Sequence, residues 1–143
     1  MVKKKFILLM VFISLFISAC GMSQEEASER IERHTSVKIP NDSKLEYNYL
    51  DNVFANGRLP QYSVYSFEDK PEFFLEENGF HTYKNVEFEG YFIDAMDGFS
   101  RIEQENIKFQ PNWNEEYMWL EINWVYFAYF EDSMYLKIMM KVF

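Results

Sequence analysis

The sequence is poor in the residues that build catalytic and metal sites. Among its 143 residues one is cysteine and two are histidine, namely Cys20, His34 and His81. A single cysteine excludes an internal disulfide, so an extracellular domain of this chain must be stabilised by its core. The sequence also contains no G-x-S-x-G motif, no H-E-x-x-H motif and no cysteine pair. We therefore find no motif for nucleophilic or zinc chemistry and interpret both histidines as surface residues.

Acidic residues are abundant, but their arrangement points to no particular chemistry. The segment from Asp94 to Gly98 has the glycine of a calcium loop, but methionine occupies its third position. Glu87 with Glu89, or Glu115 with Glu116, could supply the paired carboxylates of glycoside hydrolysis. However, 23 acidic residues produce such neighbours by chance. We therefore predict no catalytic residue, no metal site and no cofactor.

The one cysteine lies at the end of an apolar segment near the N-terminus. Lysines at positions 3–5 are followed by the run FILLMVFISLFI at 6–17 and by two small residues at 18–19. A basic start, an apolar run of about 7–15 residues and small residues before a cleavage point are typical of a secretory signal. The run is shorter than the roughly 20 residues of a spanning helix. We therefore expect residues 1–19 to be removed on export.

Ile17-Ser18-Ala19-Cys20 resembles the lipobox of bacterial lipoproteins, with isoleucine in place of the usual leucine. The resemblance implies that the Cys20 sulfur takes a diacylglycerol and that Cys20 becomes the N-terminus. Gly21 differs from the aspartate that marks inner-membrane retention in Gram-negative cells. Two or more acyl chains anchor a protein stably, because each buried CH₂ contributes about 0.8 kcal/mol. The implied location is the extracytoplasmic face of the cell membrane; the alternative is a buried structural Cys20 after an uncleaved helix.

The chain that would remain, residues 20–143, is strongly acidic. All 23 acidic residues lie after Cys20, whereas three of the 14 basic residues lie before it, so these 124 residues carry a net charge of −12. Such a charge repels nucleic acid and anionic lipid headgroups. We therefore expect a basic protein partner and no nucleic acid. The length suits one domain with a single core.

The first half of this domain has clear helix and strand signals. Ser23 followed by Glu26 is a capping box, which predicts a polar N-terminal helix over about 23–35. Apolar residues alternate with polar ones at 45–49 and again at 61–67, as in half-buried strands. We predict that these two strands pair as an antiparallel hairpin.

Two helices are predicted next. Asp69 as N-cap and Pro71 in the first turn begin a short helix, which Asn78-Gly79 ends. Apolar residues spaced by four, three, four and three positions predict a second helix; they are Phe88, Phe92, Ala95, Phe99 and Ile102. Asp94 and Asp97 fall on the solvated side of this helix.

The C-terminus has the strongest β signal. Even-numbered positions are apolar on both sides of a polar segment at 131–133. A three-residue loop there pairs Phe130 with Met134 and gathers these residues on one wholly apolar face, and we predict this register. A two-residue turn that pairs Phe130 with Tyr135 would place the two sets on opposite faces.

Together these elements predict one α+β domain, an antiparallel sheet of about four strands with helices packed on one face. Val125, Phe127 and Tyr129 are apolar as well, so their strand should be central and covered on both faces. Residues 103–123 remain unassigned, because 114–123 fits either a strand or a short helix.

Aromatic residues make up 20% of the chain and crowd its last third. One interpretation is that they form the sheet core and its cross-strand pairs. The alternative is that Trp113, Tyr117 and Trp119 are exposed and form a recognition surface, because tryptophan and tyrosine dominate binding hot spots.

The features above are similar in plan to small lipoproteins of low-GC Gram-positive bacteria, some of which act in immunity or in the envelope. We therefore expect a membrane-anchored extracytoplasmic lipoprotein with a non-catalytic binding role. The alternative is an envelope enzyme or a small-ligand receptor with a pocket of converging acids, such as Glu87, Glu89, Asp94 or Glu116.

Overall fold

The computed structural model describes residues 22–50, 60–97 and 109–141, which form three helices and five strands. Cys20, the predicted signal segment and the predicted helical positions Phe99 and Ile102 lie outside these ranges. In chain order the elements are α1 (Gln24–Thr35), β1 (Lys44–Leu50), β2 (Gln61–Ser66), α2 (Glu72–Glu77), α3 (Val86–Asp97), β3 (Tyr117–Ile122), β4 (Val125–Phe130) and β5 (Tyr135–Met140). Within the described residues, none of the helices has the length and apolar character needed to cross a bilayer.

Helix α1 confirms the predicted polar N-terminal helix. The Ser23 side chain accepts a hydrogen bond from the Glu26 backbone N–H at 3.2 Å, so it is the N-cap. The helix ends at Ser36, whose φ of 62° is left-handed and whose N–H donates to the Glu32 carbonyl. Only Ala27, Ile31 and Thr35 are buried along α1, which fits its narrow apolar stripe.

The strands form one antiparallel sheet in the order β1-β2-β5-β4-β3. The predicted hairpin of β1 and β2 is confirmed, with Tyr49 opposite Tyr62. Residues 117–122, left open between strand and helix, form the edge strand β3. This strand raises the count within the described residues to five, one more than the sequence predicted.

The predicted register of the C-terminal hairpin is wrong. Phe130 lies opposite Tyr135, and Tyr126 lies opposite Met139. Four residues, 131–134, connect the strands, and Met134 takes a left-handed φ of 55°. Every residue of β4 is buried, as predicted for a strand covered on both faces. The prediction assumed that only one face of the hairpin is apolar. Both faces are apolar, so hydrophobicity of one face does not determine the register.

Helices cover both faces of the sheet, so the prediction of helices on one face is wrong. The first face, here the aliphatic face, packs against α1 and α2; its buried side chains include Ile31, Leu75, Leu120, Val125, Phe127, Tyr129, Leu136, Ile138 and Met140. The second, the aromatic face, packs against α3; its buried side chains include Tyr62, Phe88, Phe92, Tyr117, Trp119, Tyr126, Phe130 and Met139. The central strands are apolar on both sides, and both sides therefore need cover.

Helix α2 begins differently from the prediction, and the structure also shows how α3 begins. Helix α2 has Pro71 as its N-cap with no side-chain cap hydrogen bond, so the prediction of Asp69 as the cap is wrong. Gly79, with φ of 71°, follows its end as predicted. Helix α3 is held at its start by Asn85, whose side-chain oxygen accepts from the Phe88 N–H at 3.1 Å.

Candidate functional site

The aromatic residues predicted to form a recognition surface lie mainly in the core. Tyr117 and Trp119 are 4% and 8% exposed, so the alternative of an exposed surface is wrong for both, and the interpretation as sheet core agrees with the structure. Trp113 is half-buried and packs edge-on against the Tyr117 ring, 5.3 Å between centroids. The Trp119 ring lies 4.9 Å from Phe88 of α3. All three residues therefore pack α3 against the sheet. Tyr117 and Trp119 do so because β3 directs its odd-numbered side chains towards the aromatic face, and Trp113 does so from the turn before β3.

The start of the described chain is fixed to the edge strand β1. The Gln24 side chain donates to the Ser43 carbonyl at 2.8 Å and accepts from the Leu45 N–H at 2.9 Å. The Asn48 amide contacts the Met22 sulfur at 3.6 Å. The described contacts thus include Met22, which lies two positions after Cys20, the predicted lipid attachment point, in the sequence.

Helix α1 runs from this edge across the aliphatic face. At its middle, Ser28 hydrogen-bonds the Tyr65 hydroxyl of β2 at 2.9 Å. At its end, the Asn123 side chain donates to the His34 carbonyl at 3.0 Å. Asn123 belongs to the turn between β3 and β4, where Trp124 is 57% exposed. A helix of 12 residues is about 18 Å long. The two ends of α1 therefore lie far apart on the domain.

Both histidines are exposed, as predicted. The His34 ring bonds the Arg30 carbonyl one turn earlier in α1, at 2.8 Å. His81 forms two backbone hydrogen bonds with Trp119, of 2.8 and 3.1 Å, on the outer edge of β3. The Trp119 indole N–H donates to the Tyr83 carbonyl at 2.9 Å. His81 therefore has a structural place along the sheet edge.

The four acids proposed to line a pocket do not converge. Glu87 and Glu89 each accept a hydrogen bond from a tyrosine hydroxyl, at 2.7 Å in both cases. Asp94 and Glu116 are exposed on different elements. None of the four lines the three pockets described below. Within residues 22–50, 60–97 and 109–141, no three metal-ligating side chains form a group that could hold an ion.

Three surface pockets differ in the polar groups that line them. One, of about 490 Å³, lies between α1 and the segment 38–41 and is lined by the exposed acids Glu25, Glu29 and Glu32. A second, of about 460 Å³, lies beside α2. The third, of about 440 Å³, has the buried Lys137 in its wall. We call this third cavity the Lys137 pocket.

Lys137 is a buried cation on the central strand β5. It is 3% exposed, and its Nζ donates to the Gln110 carbonyl at 2.9 Å. The ammonium also lies 4.5 Å from the centre of the Phe130 ring. No carboxylate of the described residues lies within 4.0 Å of this nitrogen. Burial lowers the pKa of Lys137 to about 8, and the charge of Glu115 partly opposes this effect.

A second polar group of the Lys137 pocket also lacks a full set of partners. The Ser133 hydroxyl is buried, and it has no hydrogen-bond partner among the described residues. The remaining lining comes from Gln110, Pro111, Asn112, Glu115 and Tyr135. The pocket thus combines an ammonium and a free hydroxyl with a carboxylate and an aromatic wall.

Sequence reasoning missed Lys137, although the sequence holds a signal for it. Lys137 is the only charged residue in the segment 134–140, which reads MYLKIMM. In a central strand covered on both faces, such a residue must be buried, and burying a cation is costly unless it is paired or hydrogen-bonded. Its partner Gln110 lies 27 positions away in the sequence, so the contact itself could not be predicted.

Comparison with protein-family models, with curated proteins and with solved structures gave no match.

Proposed function

We propose that this protein is a lipid-anchored extracytoplasmic lipoprotein whose domain binds a basic protein partner without catalysing a reaction. The observation that carries the anchoring is the short distance in sequence, two positions, between Cys20 and Met22. Met22 already contacts Asn48 of β1, and the capped helix α1 begins at Gln24. A diacylated Cys20 would therefore hold the β1 edge beside the bilayer. The opposite end of α1, with the turn at Trp124, would point away from it.

The charge distribution supports a basic partner. Residues 20–143 carry a net charge of −12. The exposed carboxylates of Glu25, Glu29 and Glu32 lie on α1 and line one pocket together with Lys38. With three acids and one lysine, the lining is predominantly negative, and such a concave surface attracts and orients partners of the opposite charge. We therefore place the partner at this exposed side of α1.

Metabolic labelling with an alkyne-tagged fatty acid tests the anchor. The full chain should acquire the label and a mature N-terminus at Cys20, whereas Cys20→Ser should remain unlabelled. Ser23→Ala, three residues away, should still be labelled and serves as the control. A retained Met1, or a mature start at any other residue, would contradict the proposal.

A charge-matched pair of variants tests the partner site. The triple change Glu25→Gln, Glu29→Gln and Glu32→Gln should lower affinity for a basic partner by at least about tenfold at low salt, and the loss should shrink as salt rises. The control changes Glu72, Glu76 and Glu77 of α2 to glutamine, which alters the net charge equally. Equal losses in both variants would show a non-specific charge effect and refute a site on α1.

The alternative of a receptor with an acidic pocket is not favoured by the positions of Glu87, Glu89, Asp94 and Glu116. A small-ligand site built around a buried lysine is a different possibility, and the Lys137 pocket favours it.

A further inference from the structure

We propose that the Lys137 pocket binds a small organic monocarboxylate, whose oxygens are held by the Lys137 ammonium and the Ser133 hydroxyl. This site is independent of the lipid anchor and of the protein partner proposed for α1. It lies on the aromatic face of the sheet, whereas α1 covers the aliphatic face.

The Lys137 ammonium has unused hydrogen-bonding capacity. An ammonium carries three donors, and Lys137 gives one of them to the Gln110 carbonyl at 2.9 Å. The Phe130 and Tyr135 rings lie 4.5 and 5.8 Å away and attract the charge without accepting a conventional hydrogen bond. Glu115 lines the same pocket, but it forms no ion pair with Lys137 within 4.0 Å, and a buried cation without a direct ion pair is costly. A ligand carboxylate in the pocket would supply the missing counter-charge.

Ser133 gives an independent indication of a ligand in the same cavity. Its hydroxyl oxygen is buried and has no partner among the described residues, and Ser133 lines the pocket together with Lys137. Buried hydroxyl groups are normally hydrogen-bonded. A carboxylate has two oxygens and can accept a hydrogen bond from each of the two side chains.

The remaining lining selects the class of ligand. The pocket offers a single ammonium, and Glu115 in its wall repels a dianion such as phosphate about twice as strongly as a monocarboxylate. Tyr135 and Pro111 provide apolar walls for an organic body. The volume of about 440 Å³ lies within the usual range of about 300–1,000 Å³ for small-molecule sites. A compact organic molecule with one carboxylate fits all three features.

The proton on Lys137 links this binding to pH. Burial lowers the pKa of Lys137 to about 8, and the carboxylate needs the charged form. The other titratable groups that face this nitrogen are Glu115, from the turn before β3, and Tyr135, on β5 itself; Tyr62 of β2 lies on the same face. Affinity should be constant below about pH 8 and then fall by up to about tenfold per pH unit.

The experiment uses the full chain in detergent micelles with ¹³C label at the lysine ε-carbons. The probes are benzoate, its neutral isostere benzamide, and inorganic phosphate. The Lys137 resonance is identified by its loss in Lys137→Met. It should shift saturably as benzoate is added, with a dissociation constant on the order of 1 mM. Benzamide and phosphate should leave it in place. Absence of a benzoate shift at about 100 mM, or equal shifts with benzamide or phosphate, would overturn the proposal.

Variants test the two side chains separately. Ser133→Ala should weaken benzoate binding by about three- to tenfold and retain the pH dependence, because one hydrogen bond is lost. Lys137→Met should abolish binding, read from the tryptophan fluorescence of Trp113, which belongs to the same aromatic cluster. Lys84→Met, at an exposed lysine, should bind like the unaltered chain. Unchanged affinity in both Ser133→Ala and Lys137→Met would refute the site.

Discussion

The two faces of the sheet bury side chains of different chemistry. On the aliphatic face most buried residues are isoleucine, valine, leucine or methionine, whereas two thirds of those on the aromatic face are phenylalanine, tyrosine or tryptophan. Aliphatic side chains need only shape and volume to pack well. Tyrosine and tryptophan bring a hydroxyl or an N–H that needs a partner when it is buried.

This difference decides how each face fixes its neighbours. On the aromatic face, Tyr117 holds the start of α3, Trp119 holds the segment at Tyr83, and the Tyr62 hydroxyl donates to the Phe109 carbonyl. On the aliphatic face, the Tyr65 hydroxyl bonds Ser28 of α1, but the Tyr129 hydroxyl is buried without a partner among the described residues. Directional bonds therefore fix more of the packing on the aromatic face than on the aliphatic face.

The largest expected effect comes from emptying the core on either face. Phe127→Ala on β4 and Phe92→Ala on α3 each remove a fully buried ring and should cost about 3–5 kcal/mol. The loss for Phe127→Ala should lie at the upper end of this range, because the strands on both sides of β4 cannot move into the cavity. Urea unfolding measures both, with the exposed Val86→Ala expected within about 0.5 kcal/mol. A larger loss for Phe92→Ala would reverse the comparison.

The next effect is the pH dependence that Lys137 gives to the aromatic face. Its pKa is about 8 in the fold against an ordinary value of 10.5, so the unfolded chain binds more protons between these values. Stability relative to Lys137→Met should therefore rise from pH 8 to 10.5, by up to about 3 kcal/mol. Below pH 8, Lys137→Met should be the more stable protein by a constant amount.

Chemical denaturation of both proteins between pH 7 and 10 measures this difference. Lys84→Met is the control and should differ from the unaltered chain by the same amount at every pH. A pH-independent difference for Lys137→Met would show that the native state leaves the lysine pKa unchanged.

Removing a hydroxyl from the aromatic face should be destabilising. The Tyr117 hydroxyl accepts from the Asn85 N–H at 3.0 Å and donates to Glu89 at 2.7 Å. Tyr117→Phe should therefore cost about 1–2 kcal/mol. Amide hydrogen exchange should become faster at the first turn of α3, because the helix start loses its tie to β3. Unchanged exchange there would show that packing alone positions the helix.

The smallest effect should have the opposite sign. Tyr129→Phe removes a buried hydroxyl that has no partner in the described residues, so it should be neutral or stabilise by up to about 1 kcal/mol. Thermal unfolding compared directly with Tyr117→Phe provides the test. Destabilisation of similar size in both variants would mean that the two faces do not differ in their use of hydroxyl groups.

Local signals predicted much of the fold. The Ser23 cap, the glycine at position 79 and the strands β1 and β2 were predicted from neighbouring residues only, and the structure confirms them. The half-buried character expected of β2 is wrong, because its residues 61–65 are all buried. The hairpin register depends on what covers each face. Because helices cover both, two registers were equally apolar, and the predicted pairing of Phe130 with Met134 failed.

The candidate sites show the same limit. Exposure of Tyr117 and Trp119 could not be read from composition, because α3 covers them through contacts about 30 positions away in the sequence. The Lys137 pocket joins β5 to Gln110 and Ser133, which no local pattern connects. The resemblance to a lipobox at Cys20, in contrast, rests on contiguous residues and needs no tertiary structure, and it stays a prediction.

The bridge between His81 and Trp119 bears on self-association of the chain. An edge strand presents unpaired N–H and C=O groups that can template a strand from another molecule. Trp119 lies in the middle of β3, and its outward N–H and C=O are already bonded to His81. A foreign strand would find this six-residue edge interrupted at its centre. The segment at His81 therefore protects this side of the sheet against edge-to-edge aggregation.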